Sequence, residues 1–339
     1  MTLLDKRIED DLKELYSNGL NDLTNRFNLC KIEEADKLSE QLFGEKGELS
    51  SHGLPGYFTG NRGARTVMVM LNPREDVAGK DNPGTTQKTI SLLRIKNNDQ
   101  EKFIETYKSG NANFGKYDMD ERKTKGEKPD DFDLKQAAFL MGWPHNPQEK
   151  EFCGVEIPEE FTPDITKLKD INYGVVMQTI ENVLTKKLQL ELVPYASRKF
   201  QKVKNIDALF PYVDILFDEI FSDNYKGEDP RYVIFCSAYF EKLFMSYKGA
   251  GSIGIDIKNK KEKDLYEGKN SKPFKASCLP IAIHYKNNKP IKAIIAHTFP
   301  SQALPKAYDL MMKYGNFCYE KYKEYIIPNG GSVSAPTQT

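Results

Sequence analysis

The chain has 339 residues, with 49 lysines and arginines against 49 aspartates and glutamates, so its formal net charge is zero. That excludes a simple polycation that coats nucleic acid, although a basic groove on a neutral whole stays open. At 39% apolar and 29% charged residues the composition is that of an ordinary soluble protein, long enough for about two domains and a real core.

The apolar runs, such as 67–71 and 293–296, stay under ten residues and fall far short of the ~20 that span a bilayer. The charged, amphipathic start at 1–14 has no signal-peptide core. Cys30, Cys153, Cys236, Cys278 and Cys318 lie far apart and form no C-x-x-C pair. These features predict a reduced, cytoplasmic protein with no membrane partner, no disulfide framework and no metal site.

Leu4, Ile8, Leu12 and Leu15 recur at helical spacing, and a second helix is expected over 31–43. Residues 1–60 thus form an N-terminal helical extension. Turn formers cluster through Gly53, Pro55, Gly56, Gly60 and Gly63. The run 66–71 then reads as a buried strand of a parallel sheet, stopped at Asn72-Pro73. A helix is expected over 86–107. The stretch 118–133 is rich in charge and poor in apolar residues, and reads as part of an insertion near 108–165.

Further on, the pattern predicts a helix at 173–187 and a strand at 188–193. A helix at 209–221, a strand at 231–237 and a helix at 238–247 follow. A second insertion near 249–275 contains a charged loop at 258–269. Residues 276–285 and 291–297 form a hairpin, 302–322 is helical, and 328–339 is a disordered tail. Strands alternating with helices predict a three-layer α/β/α sandwich around a mostly parallel central sheet, filling 61–327. In such sheets ligands sit beyond the carboxyl ends of strands. The rule selects the segments after Leu71, Glu191 and Ile295.

Three constellations stand at those ends. Met68-Val-Met-Leu-Asn-Pro-Arg74 aims a carboxamide from a strand tip, with proline fixing the exit; an ordinary turn with an asparagine cap has the same sequence. Ile294-Ile-Ala-His-Thr-Phe-Pro-Ser301 delivers His297 at a strand end, where imidazole can donate to a developing anion; a structural core histidine would look alike. Glu191 stands inside the apolar strand of Leu188-Gln-Leu-Glu-Leu-Val-Pro-Tyr195. A carboxylate there is costly without a partner, but strand alternation also allows it to face solvent with Gln189.

In this order the three segments resemble the uracil-DNA glycosylase superfamily, over about 66–308. That family has a strand followed by Gly-x-(Asn/Asp)-Pro, a middle strand with a base-reading asparagine, and a late His-Pro-Ser. Here Met70 and Leu71 replace the glycine, two extra residues separate His297 from Pro300, and the base-reading asparagine falls on Glu191. The resemblance implies a glycosylase-like fold and a monofunctional DNA glycosylase without cofactor or metal. Asn72 would hold the attacking water at the sugar. His297 would hydrogen-bond O2 of the leaving pyrimidine.

Such an enzyme takes its base out of the stack and reads the Watson–Crick edge. Glu191 suits a cytosine edge, whose amino group a carboxyl accepts. After the motif proline Pro73, where the uracil-specific branch has an aromatic wall, stand Arg74 and Glu75. Polar groups there suit a hydroxymethyl or glucosyl group on C5, as in bacteriophage DNA, which makes antiphage defence the sharp expectation. The alternatives are a repair glycosylase for uracil or a damaged pyrimidine, and a non-catalytic module that binds modified DNA. Lys186, Lys187, Arg198, Lys199 and Lys202 form a candidate phosphate track, equally readable as a solvated basic face. Ser301 and Leu304 follow the second motif, where the family inserts a wedge into the duplex.

Two other signals carry less. Gly249-Ala-Gly-Ser-Ile-Gly254 fits G-x-G-x-x-G but follows a helix rather than a strand. Cys236 beside His297 lacks an oxyanion motif or an orienting residue for thiol hydrolysis.

Overall fold

A computed structural model describes residues 1–17, 32–49, 55–71, 100–109, 131–143, 173–197, 203–247, 253–266, 273–297 and 308–327. Chain contacts divide it into two compact units. The first is Met1–Pro129 with Leu184–Gly227, and the second is Asp130–Val183 with Glu228–Thr339. Both mix helices with strands, as the α/β expectation requires. No helix among the described residues is long and apolar enough to cross a membrane.

In the first unit, α1 (Leu3–Leu15) starts at a capping box: Thr2 Oγ1 accepts from Asp5 N, and the Asp5 carboxylate accepts from Thr2 N. Leu4, Ile8, Leu12 and Leu15 are buried, as their spacing predicts. Helix α2 (Glu33–Phe43) ends on Gly44, whose φ of 80° is the left-handed cap that glycine adopts without penalty.

Strand β1 (Phe58–Gly60) pairs antiparallel with β3 (Lys187–Glu191), and β3 pairs parallel with β2 (Thr66–Met70), so β3 is the middle strand. Helix α3 (Gln100–Lys108) packs on α1. A 3-10 turn (Ile206–Leu209) leads into α6 (Phe210–Ile220), which also packs on α1.

Buried charge holds α1 in place. The Arg62 guanidinium bonds both oxygens of Glu219, which is fully buried, and reaches Asp5 on α1 at 2.6 Å. Asp11, buried on the same helix, accepts from Tyr57 Oη at 2.7 Å and Tyr195 Oη at 2.8 Å, and lies 3.4 Å from Arg7. Residues of the 1–60 segment therefore belong to this unit's interior.

In the second unit, β4 (Tyr232–Phe235) pairs parallel with β8 (Ile291–Ala296), and β8 pairs antiparallel with β7 (Phe274–Tyr285) as the expected hairpin. Two further strands lie along β7: β5 (Ile253–Ile257) against 281–285 and β6 (Lys261–Leu265) against 274–278. This corrects the expected charged loop at 258–269, because backbone pairing to β7 outweighs the poor strand propensity of Lys-Glu-Lys-Asp-Leu.

Helix α4 (Asp131–Met141), which begins inside the expected charged insertion, packs against α8 (Tyr308–Glu324). Their backbones meet at two glycines: a Cβ on Gly315 would collide with the Phe139 carbonyl, and one on Gly142 with that of Met312. Trp143 closes this core against Tyr232, Tyr319 and Tyr322, with ring centroids 5.5–6.1 Å away. Helix α7 (Tyr239–Ser246) follows β4. Helix α5 (Tyr173–Leu184) leads into β3.

Candidate functional site

Strands β2 and β3 run parallel in register, with Thr66 beside Lys187, Met68 beside Gln189 and Met70 beside Glu191. The ladder continues past the strand ends, where Leu192 N bonds Met70 O and Val193 N bonds Leu71 O, both at 2.9 Å. Leu71 is the last described residue before Asn72. The strand that runs into the first motif and the strand that carries Glu191 therefore finish side by side, with their carboxyl ends at one edge.

Alternation along β3 puts Lys187, Gln189 and Glu191 on one face. The three side chains form a hydrogen-bonded line. Lys187 Nζ donates to Gln189 Oε1 at 2.6 Å, and Gln189 Nε2 donates to Glu191 Oε1 at 2.7 Å. The other oxygen, Oε2, is buried with no hydrogen-bond partner among the described residues. Burial pushes the Glu191 carboxyl up to about 8, against smaller opposing pulls from Gln189 and Lys187. At neutral pH it is mainly a neutral acid. The residue keeps some exposed surface, but Oε2 has none, which removes the solvent-facing alternative.

Lys187 requires a correction. The expected phosphate track loses it, because it is only 3% exposed and its ammonium donates to Gln189. Position 186 starts the exposed side of the turn and 187 the buried face of the strand, so a run of two lysines is split between water and core. Lys186 is exposed. Arg198, Lys199 and Lys202 lie outside the described residues, as do Asn72, Pro73, Arg74, Glu75, Ser301, Leu304, the 86–99 part of the expected helix and the 328–339 tail.

Glu191 also borders a cavity of about 10 Å³ with Leu4, Tyr57, Tyr212 and Glu219. That is space for one water, not for a nucleobase.

In the second unit β8 delivers His297 just past its end, with the His297 amide on Ser277 O at 3.2 Å. The side chain is 5% exposed, and Nε2 lies 2.9 Å from Glu241 Oε2 on α7. The contact is close but poorly aligned, and neither ring nitrogen makes a proper hydrogen bond among the described residues. Burial lowers the imidazole's pKa, Glu241 pulls it back up and Lys260 adds to the lowering. A neutral imidazole with its one N–H toward Glu241 presents a lone pair on Nδ1; only the imidazolium donates from both nitrogens.

Sequence reasoning passed over Glu241 and the Lys187–Gln189 line. The period-2 row of polar residues at 187, 189 and 191 was a readable signal for the second. Nothing in the sequence linked Glu241 to His297. Cys236, like Cys278 and Cys318, is a buried cysteine outside any disulfide. Gly254 lies within β5 and opens no helix. Among known proteins, the chain matches no family model, no curated protein and no solved structure.

Proposed function

We propose that the chain is a monofunctional DNA glycosylase, built as a glycosylase-like α/β/α sandwich, that excises a C5-modified cytosine and leaves an abasic site. The observation that supports this most is the neutral, buried carboxyl of Glu191, one strand away from the strand that runs into Asn72. A neutral carboxyl offers an O–H to an acceptor such as cytosine N3 and a carbonyl to the amino group beside it. Where the uracil-reading members of the family that the chain resembles carry an asparagine, this chain carries a group that suits the cytosine edge.

In the reaction the bond between C1′ and the base nitrogen breaks and its electron pair leaves with the base. Water held by Asn72 bonds to C1′, and the proton it loses to solvent is matched by the one the departing base anion takes up, so the products are an abasic sugar and a neutral base. His297 stabilises the charge that gathers on O2 of the base. Glu241 raises the fraction of His297 able to donate there. Arg74 and Glu75 contact the C5 substituent, and Lys186 with Arg198, Lys199 and Lys202 holds phosphate. A hydroxymethyl or glucosyl group on C5 is a bacteriophage modification, so defence against phage is the role this substrate implies.

The test is abasic-site formation. The protein is incubated with duplexes containing uracil, cytosine, hydroxymethylcytosine or its glucosides, then treated with alkali. Strand breaks only with a modified cytosine, lost in Asn72→Ala, are expected. Breaks with uracil alone would refute the cytosine reading. Binding of modified duplexes without breaks would make the chain a reader of modified DNA.

A further inference from the structure

A carboxylic acid has a symmetry that a base-reading group must lose. With its proton on one oxygen it complements an N3 acceptor beside an N4 amino donor. With the proton on the other it complements an N3–H donor beside an O4 acceptor, for the same placement of the base. We propose that Lys187 is a positioning residue that, through Gln189, fixes the Glu191 proton on Oε2 and thereby restricts the site to the cytosine-type edge. This rests on the reading of Glu191 as the group that meets the base.

The argument follows the line of hydrogen bonds. An amide nitrogen only donates, so Gln189 Nε2 at 2.7 Å makes Glu191 Oε1 an acceptor and leaves the proton to Oε2. An amide turned end for end would reverse this assignment. Lys187 forbids the turn, because an ammonium has no acceptor capacity and its Nζ lies 2.6 Å from the amide oxygen. At 3% exposure the ammonium cannot leave for water without dismantling the strand's packing. Beside these three on β2 stand Thr66, Met68 and Met70, all buried and uncharged, and beside Gln189 on β1 stands Thr59, so neither flanking strand brings a second ion to the amide.

The polarity therefore runs one way, from an ammonium through an amide to a carboxyl whose O–H points onward. Oε2, the oxygen without a partner among the described residues, has no exposed surface in the free protein and is left to donate to N3 once the flipped base has uncovered it. Oε1, which has a second lone pair, accepts from the N4 amino group.

The test uses duplexes that differ only in the base edge. One carries 5-hydroxymethylcytosine and the other 5-hydroxymethyluracil, each on a 2′-fluoroarabinose that resists cleavage. Binding is measured by fluorescence anisotropy for wild type, Lys187→Met and Gln189→Met. Wild type should favour the cytosine duplex by roughly tenfold or more, and each variant should bring the ratio close to one. No preference in wild type, no binding to either duplex, or a ratio unchanged in the variants would each overturn the proposal.

If neither variant folds, an infrared difference spectrum of wild type against Glu191→Gln at neutral pH decides. A protonated-carboxyl band is expected, and its absence overturns the proposal. Base release from the cleavable hydroxymethylcytosine duplex, measured in parallel, separates the two readings. Release with an unchanged ratio removes the role of Lys187 and keeps the glycosylase. A collapsed ratio without release does the reverse.

Discussion

Replacing Glu191 by Gln should remove one large contribution to the pH dependence of stability. In the folded protein burial raises the carboxyl to about 8, from an ordinary value of 4.5. Between those values the folded state holds a proton that the unfolded state has released, so stability falls as pH rises, at up to about 1.4 kcal/mol per pH unit. Below about pH 4.5 both states are protonated, and above about pH 8 both are ionised, so the dependence flattens at each end. From pH ~5 to pH ~7.5 the group alone costs roughly 3 kcal/mol.

The glutamine side chain in Glu191→Gln has no proton to lose. Its amide can reproduce the neutral acid's pattern, with the carbonyl toward Gln189 and the NH2 where Oε2 stood. Urea unfolding of both proteins across that range isolates the effect, because every other titrating group cancels in the difference. The stability of Glu191→Gln relative to wild type should rise steadily with pH. A difference that stays flat would mean the carboxylate is ionised in the folded protein, and the neutral-acid reading of the site would fall with it.

Glu241→Gln removes the carboxylate 2.9 Å from His297 Nε2, so the imidazole's pKa, already lowered by burial, should fall further. The ring titration by NMR checks this, and an unchanged or raised pKa would contradict it. Arg62→Met strands Glu219, which has no exposed surface. Such an uncompensated buried charge costs about 3–5 kcal/mol in urea unfolding, and a loss below about 1 kcal/mol would show that Asn224, which also bonds Glu219, suffices. Gly315→Ala adds a methyl where the Phe139 carbonyl stands. Despite the better helix propensity of alanine, it should destabilise by roughly 1–3 kcal/mol, whereas a gain in melting temperature would contradict the close crossing of α4 and α8.

Where apolar periodicity was strong, the sequence was enough. Helix α1, strands β2 and β3 and the β7–β8 hairpin lie within a few residues of where the pattern predicts them. Three of the elements that the pattern missed were illegible for physical reasons. Strand β1 has only three residues among glycines, and it exists because β3 offers it a ladder. Strand β6 is charged and mostly exposed, so nothing but its pairing to β7 identifies it. Helix α4 starts in a charge-dense stretch and shows its apolar side only from Leu134 onward.

At the site, Glu191 stood out because a carboxylate in an apolar strand needs a reason. Lys187 misled because a lysine beside other lysines reads as surface until the strand's alternation is traced residue by residue.

The position of β3 between β1 and β2 has a consequence for how the chain is made. Both outer strands leave the ribosome more than a hundred residues ahead of the strand that joins them. At ordinary rates of synthesis that is an interval of roughly 6–25 seconds. Throughout it, β2 has no parallel partner on the side β3 will fill, and Arg62 waits longer still for Glu219. The first unit thus closes late, by inserting a strand into a gap rather than by adding one to an edge. In a nascent chain its apolar strands are the segments that a chaperone would have to shield.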